Sequence, residues 1–366
     1  MIFDKVLIVD PVRGNMTGRV EIENHIISAV VPQNGDPDFI LMPGFVDLHT
    51  HAQKGIDTMY AGQEEYIQWA QNNFEQGVTT FLPTTVSASI ETLEKILGKA
   101  DRLPLSIDGI HLEGPFINPV KKGAQNAAFI FPSKRRDLSR IIKAPVKLIT
   151  AAPEVDGFDT LYEVCLQEDV TVSLGHSTAG YTEMKHAYEM GVRKITHFPN
   201  ALTPLLHREI GATGAGLYMD FDIEMIVDGI HTSPEFVDLV YRIKGADRIF
   251  LITDSMAAAG MPDGEYELGG LTVYVNGGKA VLKDGTLAGS TLLFIDGVRN
   301  FHRYTRCSYE ELVKVSSWNS LKQLKRDDTV GRIEEGYLAN LVLLDKNLRL
   351  LKTVFQGELV YSTMTR

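Results

Sequence analysis

Pro43-Gly44-Phe45-Val46-Asp47-Leu48-His49-Thr50-His51 is the stretch on which the fold turns. A turn pair opens it, a short apolar run follows, and two histidines close it at alternate positions. Strand side chains alternate between faces, so His49 and His51 project to one side and can share one ion. Alone, the tripeptide reads as well as two surface histidines. Its context decides otherwise, because seven more short apolar segments follow: Thr79–Pro83, Ile110–Leu112, Val146–Thr150, Thr171–Leu174, Lys194–Thr196, Ile223–Val227 and Ile249–Ile252.

With Gly44–Leu48 these make eight, spaced by roughly 23 to 36 residues. Helical stretches such as Gln63–Gln76 and Ser89–Lys99 lie between most of them. That alternation predicts an α/β protein, a (β/α)8 TIM-like barrel of parallel strands, which typically takes about 250 residues. An open doubly wound sheet uses the same elements but is disfavoured: Gly211-Ala212-Thr213-Gly214-Ala215-Gly216 is out of register for a dinucleotide fingerprint and follows no strand.

Outside this region the rhythm changes. Lys5–Asp10, Arg19–Glu23 and Ile26–Val31 at one end, and Asn340–Leu344, Leu348–Phe355 and Glu358–Tyr361 at the other, are β-rich runs broken by turn residues. Neither set can bury a face alone, so the two are expected to pair into one small β-sandwich. The expected division is 1–43 with 331–366 for the sandwich and 44–330 for the barrel. A β-hairpin insertion is expected near 264–286, around Leu271–Val275 and Lys279–Leu282.

The chain's 366 residues are 44% hydrophobic and 23% charged, as in an ordinary globular protein. With 36 Lys and Arg against 47 Asp and Glu, its net charge of -11 provides no field for nucleic acid or an anionic membrane. An anionic substrate must therefore meet local cations. Cys165 and Cys307 sit in no disulfide or metal spacing, which suits a reducing compartment. Asp4 and Lys5 interrupt any signal peptide, and no apolar run nears the roughly 18 residues of a membrane span. A cytoplasmic protein is expected.

Catalytic groups of such barrels stand at the carboxyl ends of strands. There the sequence places His49 and His51 after strand 1, Glu113 after strand 3, His176 after strand 5, His197 after strand 6, Asp228 and His231 after strand 7, and Asp254 after strand 8. One carboxylate with two imidazoles, Glu113, His176 and His197, suits a divalent Zn, Fe, Mn or Co ion. Gly114 and Gly175 leave room for close backbone approach. Asp254 reads either as a helix N-cap or as a general base beside a water acidified by that ion. Arg208, in the loop after strand 6, is either solvated or an anion clamp, and His231 could serve the same anion.

The opening stretch and the tail Gly331-Arg332-Ile333-Glu334-Glu335-Gly336-Tyr337-Leu338-Ala339-Asn340-Leu341-Val342 resemble the amidohydrolase superfamily, with Asn340 where Asp is common. His111-Leu112-Glu113-Gly114-Pro115-Phe116, Lys121-Lys122-Gly123, Leu174-Gly175-His176-Ser177, Thr196-His197-Phe198-Pro199-Asn200-Ala201, Asp228-Gly229-Ile230-His231 and Thr253-Asp254-Ser255-Met256 are similar to N-acetylglucosamine-6-phosphate deacetylases. The resemblance implies hydrolysis of that sugar phosphate to glucosamine 6-phosphate and acetate in amino-sugar catabolism, and a homodimer whose phosphate ligands come partly from the neighbouring subunit. It implies that Glu113, His176 and His197 hold the principal metal, zinc or iron, and that Asp254 is the acid/base. Ala124, Gln125, Asn200, Ala201, Arg208, His231, Leu287, Ala288 and Gly289 would bind the substrate's sugar, acetyl and phosphate groups.

Two departures stand out. Where the family carries a histidine after Lys-Lys-Gly-x, this chain has Ala124 and then Gln125, whose amide can donate a hydrogen bond but carries no charge. The His49/His51 pair, lacking in some members, leaves room for a second ion between these histidines, Glu113 and Asp254. Cyclic-amide hydrolases of the dihydroorotase and dihydropyrimidinase types are the nearest rival. They use a carboxylated lysine at the end of strand 4, whereas strand 4 of this chain runs into Thr150-Ala151-Ala152-Pro153-Glu154 and has one lysine, Lys147, at the wrong end. A non-catalytic sugar-phosphate-binding protein would be expected to lose metal or base residues, and only the position of Gln125 departs.

Overall fold

Gly44 is all that separates two sheets. In the computed structural model, which describes residues 1–99 and 103–363, Phe39–Pro43 belongs to a sheet built from both chain ends and Phe45–Thr50 opens the barrel. Phe45–Thr50, Val78–Thr85, Ile110–Glu113, Val146–Ala151, Thr171–Leu174, Lys194–Ile195, Asp222–Ile226 and Ile249–Ile252 pair in sequential order. A helix follows each: Gln63–Phe74, Ile90–Gly98, Arg135–Ile141, Phe158–Gln167, Tyr181–Met190, Gly211–Tyr218, Pro234–Lys244 and Phe294–Thr305. The glycine-rich run 211–216 lies inside one of these helices. Just past the strand ends, the Asp254 N–H donates to the His49 carbonyl (2.8 Å) and the His51 N–H to the Ser255 carbonyl (2.9 Å), joining last strand to first.

Phe45–Thr50 and Val78–Thr85 are buried throughout, which is why they read as apolar runs without alternation. The interior is layered. Val46, Leu48, Leu82, Leu148 and Phe250 form an apolar floor with Leu321, Leu324 and Val330. Toward the carboxyl ends a hydrogen-bonded layer follows, with His111 on Thr150 (2.8 Å), Thr150 on Thr196 (2.8 Å) and Thr196 donating to Ser173 (2.6 Å).

The chain ends form a separate sheet in the order Glu358–Ser362, Leu350–Phe355, Leu341–Asp345, Phe39–Pro43, Ile2–Asp10, Gly14–Glu23 and Ile26–Pro32. It is one continuous sheet folded over a core that includes Phe3, Ile8, Val20, Leu41, Leu341 and Val354, with Ile26 bridged to Leu338. Arg332 and the Ile333 N–H both reach Asp10, tying the tail to the first strand (3.3 and 3.0 Å). The insertion has three strands, Gly264–Leu268, Leu271–Asn276 and Lys279–Val281, one more than the hairpin expected. Both cysteines are free and buried. Among the described residues no helix is long and apolar enough to cross a membrane.

Gly44 is required by space. A Cβ there would lie 2.3 Å from Thr79 Oγ1 and 2.4 Å from Thr79 Cγ2. Gly44→Ala is expected to lower apparent stability by about 1–3 kcal/mol, the usual cost of overpacking, read as an earlier midpoint in urea.

Candidate active site

Each site residue stands at or just past a strand end. His176, His197 and Asp254 hold left-handed backbone, with φ of 49°, 29° and 48°. That conformation is strained for residues other than glycine and concentrates where side chains must be aimed at one point. Gly175 clears the way for it, since a Cβ would lie 2.7 Å from Thr150 Cγ2, and at Gly114 a Cβ would lie 2.2 Å from Ser87 Oγ. Residue 154 supports the His176 loop from the side: Glu154 accepts from Ser177 Oγ (2.6 Å), the Thr178 N–H (2.6 Å) and Asn118 Nδ2 (3.0 Å).

Two groups converge, and Glu113 belongs to both. Its Oε1 lies 3.1 Å from His176 Nε2 and 3.0 Å from His197 Nε2, and those two nitrogens are 3.0 Å apart. On the other side His49 Nε2 and His51 Nε2 are 3.3 Å apart, at 3.5 Å from Glu113 Oε1 and 3.3 Å from Glu113 Oε2 respectively. Asp254 Oδ1 sits 3.2 Å from His51 Nε2 and 3.5 Å from His49 Nε2. All six residues are buried.

Imidazole nitrogens that face one another across about 3 Å need a proton or a cation between them, since two lone pairs repel. The donor set, imidazoles and carboxylates at the buried mouth of a barrel, fits a divalent ion. Ring orientation supports the fit. The Nδ1 N–H groups of His51 and His176 donate to the carbonyls of Thr84 (3.1 Å) and Lys121 (2.8 Å), turning both Nε2 atoms inward. Burial opposes ionisation of Asp254, yet His49 and His51 hold its carboxyl down at about 2. Burial likewise opposes the charge on Glu113, but His176, His49 and the hydrogen bonds from His176 and His197 keep it well below the ordinary carboxylate range. Asp47 behaves differently: burial pushes it up to about 7 against hydrogen bonds from Thr253 and the His49 N–H. It lies in the opening stretch, and sequence reasoning assigned it no role. Its carboxylate accepts from Thr253 Oγ1 (2.6 Å), across the seam that carries Asp254.

The cluster opens into a cavity of about 470 Å³ walled by the 119–125 loop and the insertion. Of the residues expected to bind substrate, Ala124, Gln125, Asn200, Ala201, His231, Leu287 and Gly289 line it. His231 is fixed by Asp228, which accepts from its backbone N–H and its Nδ1 (both 2.7 Å). Gln125 is held at both ends, its oxygen accepting from the Ser87 N–H (2.6 Å) and its amide nitrogen donating to Glu113.

Two of the residues expected to bind substrate do not line this cavity. Ala288 is buried in the apolar cluster under the insertion and does not line the cavity, its N–H being spent on the Ala280 carbonyl (3.1 Å). Arg208 is exposed on its loop and lies outside the cavity of its own chain. Conversely, Lys121 and Lys122, which appeared only as part of a motif, line the cavity as cations.

Comparison with known proteins agrees with this geometry. Residues 40–364 match the amidohydrolase family. A curated relative from Lysinibacillus sphaericus, an N-acetylglucosamine-6-phosphate deacetylase, is 36% identical over 94% of this chain and 91% of its own. The crystal structure of the N-acetylglucosamine-6-phosphate deacetylase from Thermotoga maritima superposes with a TM-score of 0.95 at 48% identity, covering 99% of this chain and 100% of that one. A point mutant of the Mycobacterium smegmatis enzyme, solved in complex with N-acetyl-D-glucosamine-6-phosphate, gives 0.92 at 28% identity with 99% of each chain covered.

Proposed function

We propose, for a chain that belongs to the amidohydrolase family and within it to the N-acetylglucosamine-6-phosphate deacetylases, that it removes the acetyl group of N-acetylglucosamine 6-phosphate. The products are acetate and glucosamine 6-phosphate. The observation that carries this reading is the meeting of Glu113, His176, His197 and Asp254 at the floor of one cavity. The barrel-and-sheet division at 43/44 and 330/331, a homodimer and a cytoplasmic setting without nucleic-acid partners belong to the same reading.

Amide hydrolysis needs a nucleophile, stabilisation of charge on the carbonyl oxygen, and a proton for the departing amine. A divalent ion, zinc or iron, held by Glu113, His176 and His197 would supply an acidified water and a Lewis acid. Asp254, ionised at neutral pH, takes the proton from the attacking water and hands it to the nitrogen as the C–N bond breaks. Gln125 has two N–H donors, of which Glu113 takes one, leaving the other for the acetyl oxygen. Asn200, Ala201, His231, Leu287 and Gly289 seat the sugar phosphate. Arg208, exposed in its own chain, serves the phosphate bound by the partner in the dimer. A cyclic-amide hydrolase is disfavoured, since Val146–Ala151 ends without a lysine.

Acetate release from N-acetylglucosamine 6-phosphate, run beside the unphosphorylated sugar and the galactosamine analogue, tests the activity. The phosphorylated substrate is expected to be preferred, and Arg208→Ala to raise KM for it by about 10-fold or more, as loss of a charge-assisted contact does. Equal rates with and without phosphate would end the clamp reading.

A second ion between His49, His51, Glu113 and Asp254 is part of the proposal. Mass-spectrometric metal analysis of the His49→Asn/His51→Asn variant is expected to find one equivalent fewer than in the native chain, with a lower rate. Equal metal and equal rate in both would dismiss the second position.

A further inference from the structure

Below the cluster the barrel buries an acid and a base that the reaction does not use. Glu224, on Asp222–Ile226, and Lys194, on the neighbouring Lys194–Ile195, are fully or nearly fully buried. Lys194 Nζ lies 3.3 Å from Glu224 Oε1 and 3.5 Å above the centre of the Phe250 ring. Taking such a pair out of water costs about as much as its attraction returns, so stability does not account for it. Its placement does. The other oxygen, Glu224 Oε2, lies 3.4 Å from His49 Nδ1.

Neutral imidazole carries one N–H, and whichever nitrogen keeps it cannot hold a cation. With Nδ1 donating to Glu224, His49 presents a bare Nε2 toward His51, Glu113 and Asp254 at 3.3, 3.5 and 3.5 Å. His111, edge-on to His49 at 4.6 Å between ring centres, does not compete for Glu224: its nitrogens face the Leu48 carbonyl and Thr150 Oγ1. His51 and His176 are oriented by backbone carbonyls, whereas His49 has a carboxylate, which makes the ring a stronger ligand.

We propose that Glu224, charge-balanced by Lys194, is a positioning residue that keeps His49 Nε2 bare and aimed at the cluster, and so sets the affinity of the second cation position. The proposal rests on the second-ion reading above. The test is titration of chelator-stripped protein with Co2+ alone, following d–d absorption and competition with a chromophoric chelator. Wild type is expected to take up two equivalents. Glu224→Gln/Lys194→Met, which removes both charges together, should bind the first as wild type does and the second about 10–100-fold more weakly with an altered spectrum. In a His49→Asn background the same pair should change nothing further.

Two equivalents in wild type with an unaffected second phase in the variant would overturn this inference and leave the second ion standing. Equal weakening of both phases would mark the pair as support for the fold and overturn it as well. A single equivalent in wild type would remove both readings. Imidazole 15N spectra of zinc-loaded wild type give a check free of substitution at the pair: the His49 signal, assigned by its loss in His49→Asn, should be protonated at Nδ1, and protonation at Nε2 would refute the assignment.

Discussion

Asp254→Asn is expected to keep its fold and the ion on Glu113, His176 and His197 while losing about 10²–10⁴-fold in turnover, the usual contribution of a positioned acid/base. The substitution is nearly isosteric, and asparagine tolerates the left-handed φ of 48° held here. The backbone of residue 254 is held independently of the carboxylate: its N–H donates to the His49 carbonyl (2.8 Å) and its carbonyl accepts from the Ser290 N–H (2.7 Å). Those contacts survive the change. What disappears is an oxygen able to accept a proton from water and release it to the amine. The loss should fall on kcat, with KM for the sugar phosphate little altered, because both proton transfers belong to the chemical steps and not to binding. Metal content measured beside the rate separates this from damage to the cluster. A variant near the wild-type rate would remove Asp254 from the role.

The barrel was legible because each strand is an apolar run bounded by turns, and because chemistry-bearing residues cluster at the ends of these runs. Glu113, His176, His197 and Asp254 could be placed at one rim without any knowledge of distances, since closure of a barrel brings all strand ends together. What lay inside the runs was harder to read. Lys194 and Glu224 sit within short strands, Lys194 between Arg193 and Ile195 and Glu224 between Ile223 and Met225, and a charge there carries no pattern until the interior is known. Asp47 was in plain view between Val46 and Leu48, but only its bond to Thr253 across the seam gives it a task. Arg208 marks the opposite limit. Its loop follows strand 6 as expected, yet position on a face says nothing of reach, and the side chain ends up in solvent. The end sheet was foreseen as a pairing of termini. Its continuity through Phe39–Pro43, the strand that runs into the barrel, follows from hydrogen-bond order that composition does not encode.

Glu113→Gln is expected to do more harm than any other single change at the cluster. Glu113 is the one residue shared by the two convergent groups: Oε1 faces His176, His197 and His49, and Oε2 faces His51. The amide that replaces it is neutral and turns at least one of those directions from an acceptor into a donor. Four imidazoles would then surround a cavity floor whose remaining charge, on Asp254, faces His49 and His51, and His176 and His197 would lose the carboxylate they share. Metal content should fall below one equivalent. The loss of activity should exceed the roughly 10–100-fold that follows removal of a ligand's supporting partner, because a ligand itself is gone. Stability supplies an independent reading. An ion bound only by the folded chain stabilises it by about 2.7 kcal/mol at a hundredfold excess over Kd, so added zinc should raise the melting temperature of the stripped wild type and leave that of Glu113→Gln unmoved. The His49→Asn/His51→Asn variant should fall between the two, keeping the ion on His176 and His197. If Glu113→Gln retained a full equivalent and a zinc-dependent rise in melting temperature, the carboxylate would be a bystander and the two groups would have to be rebuilt around the imidazoles alone.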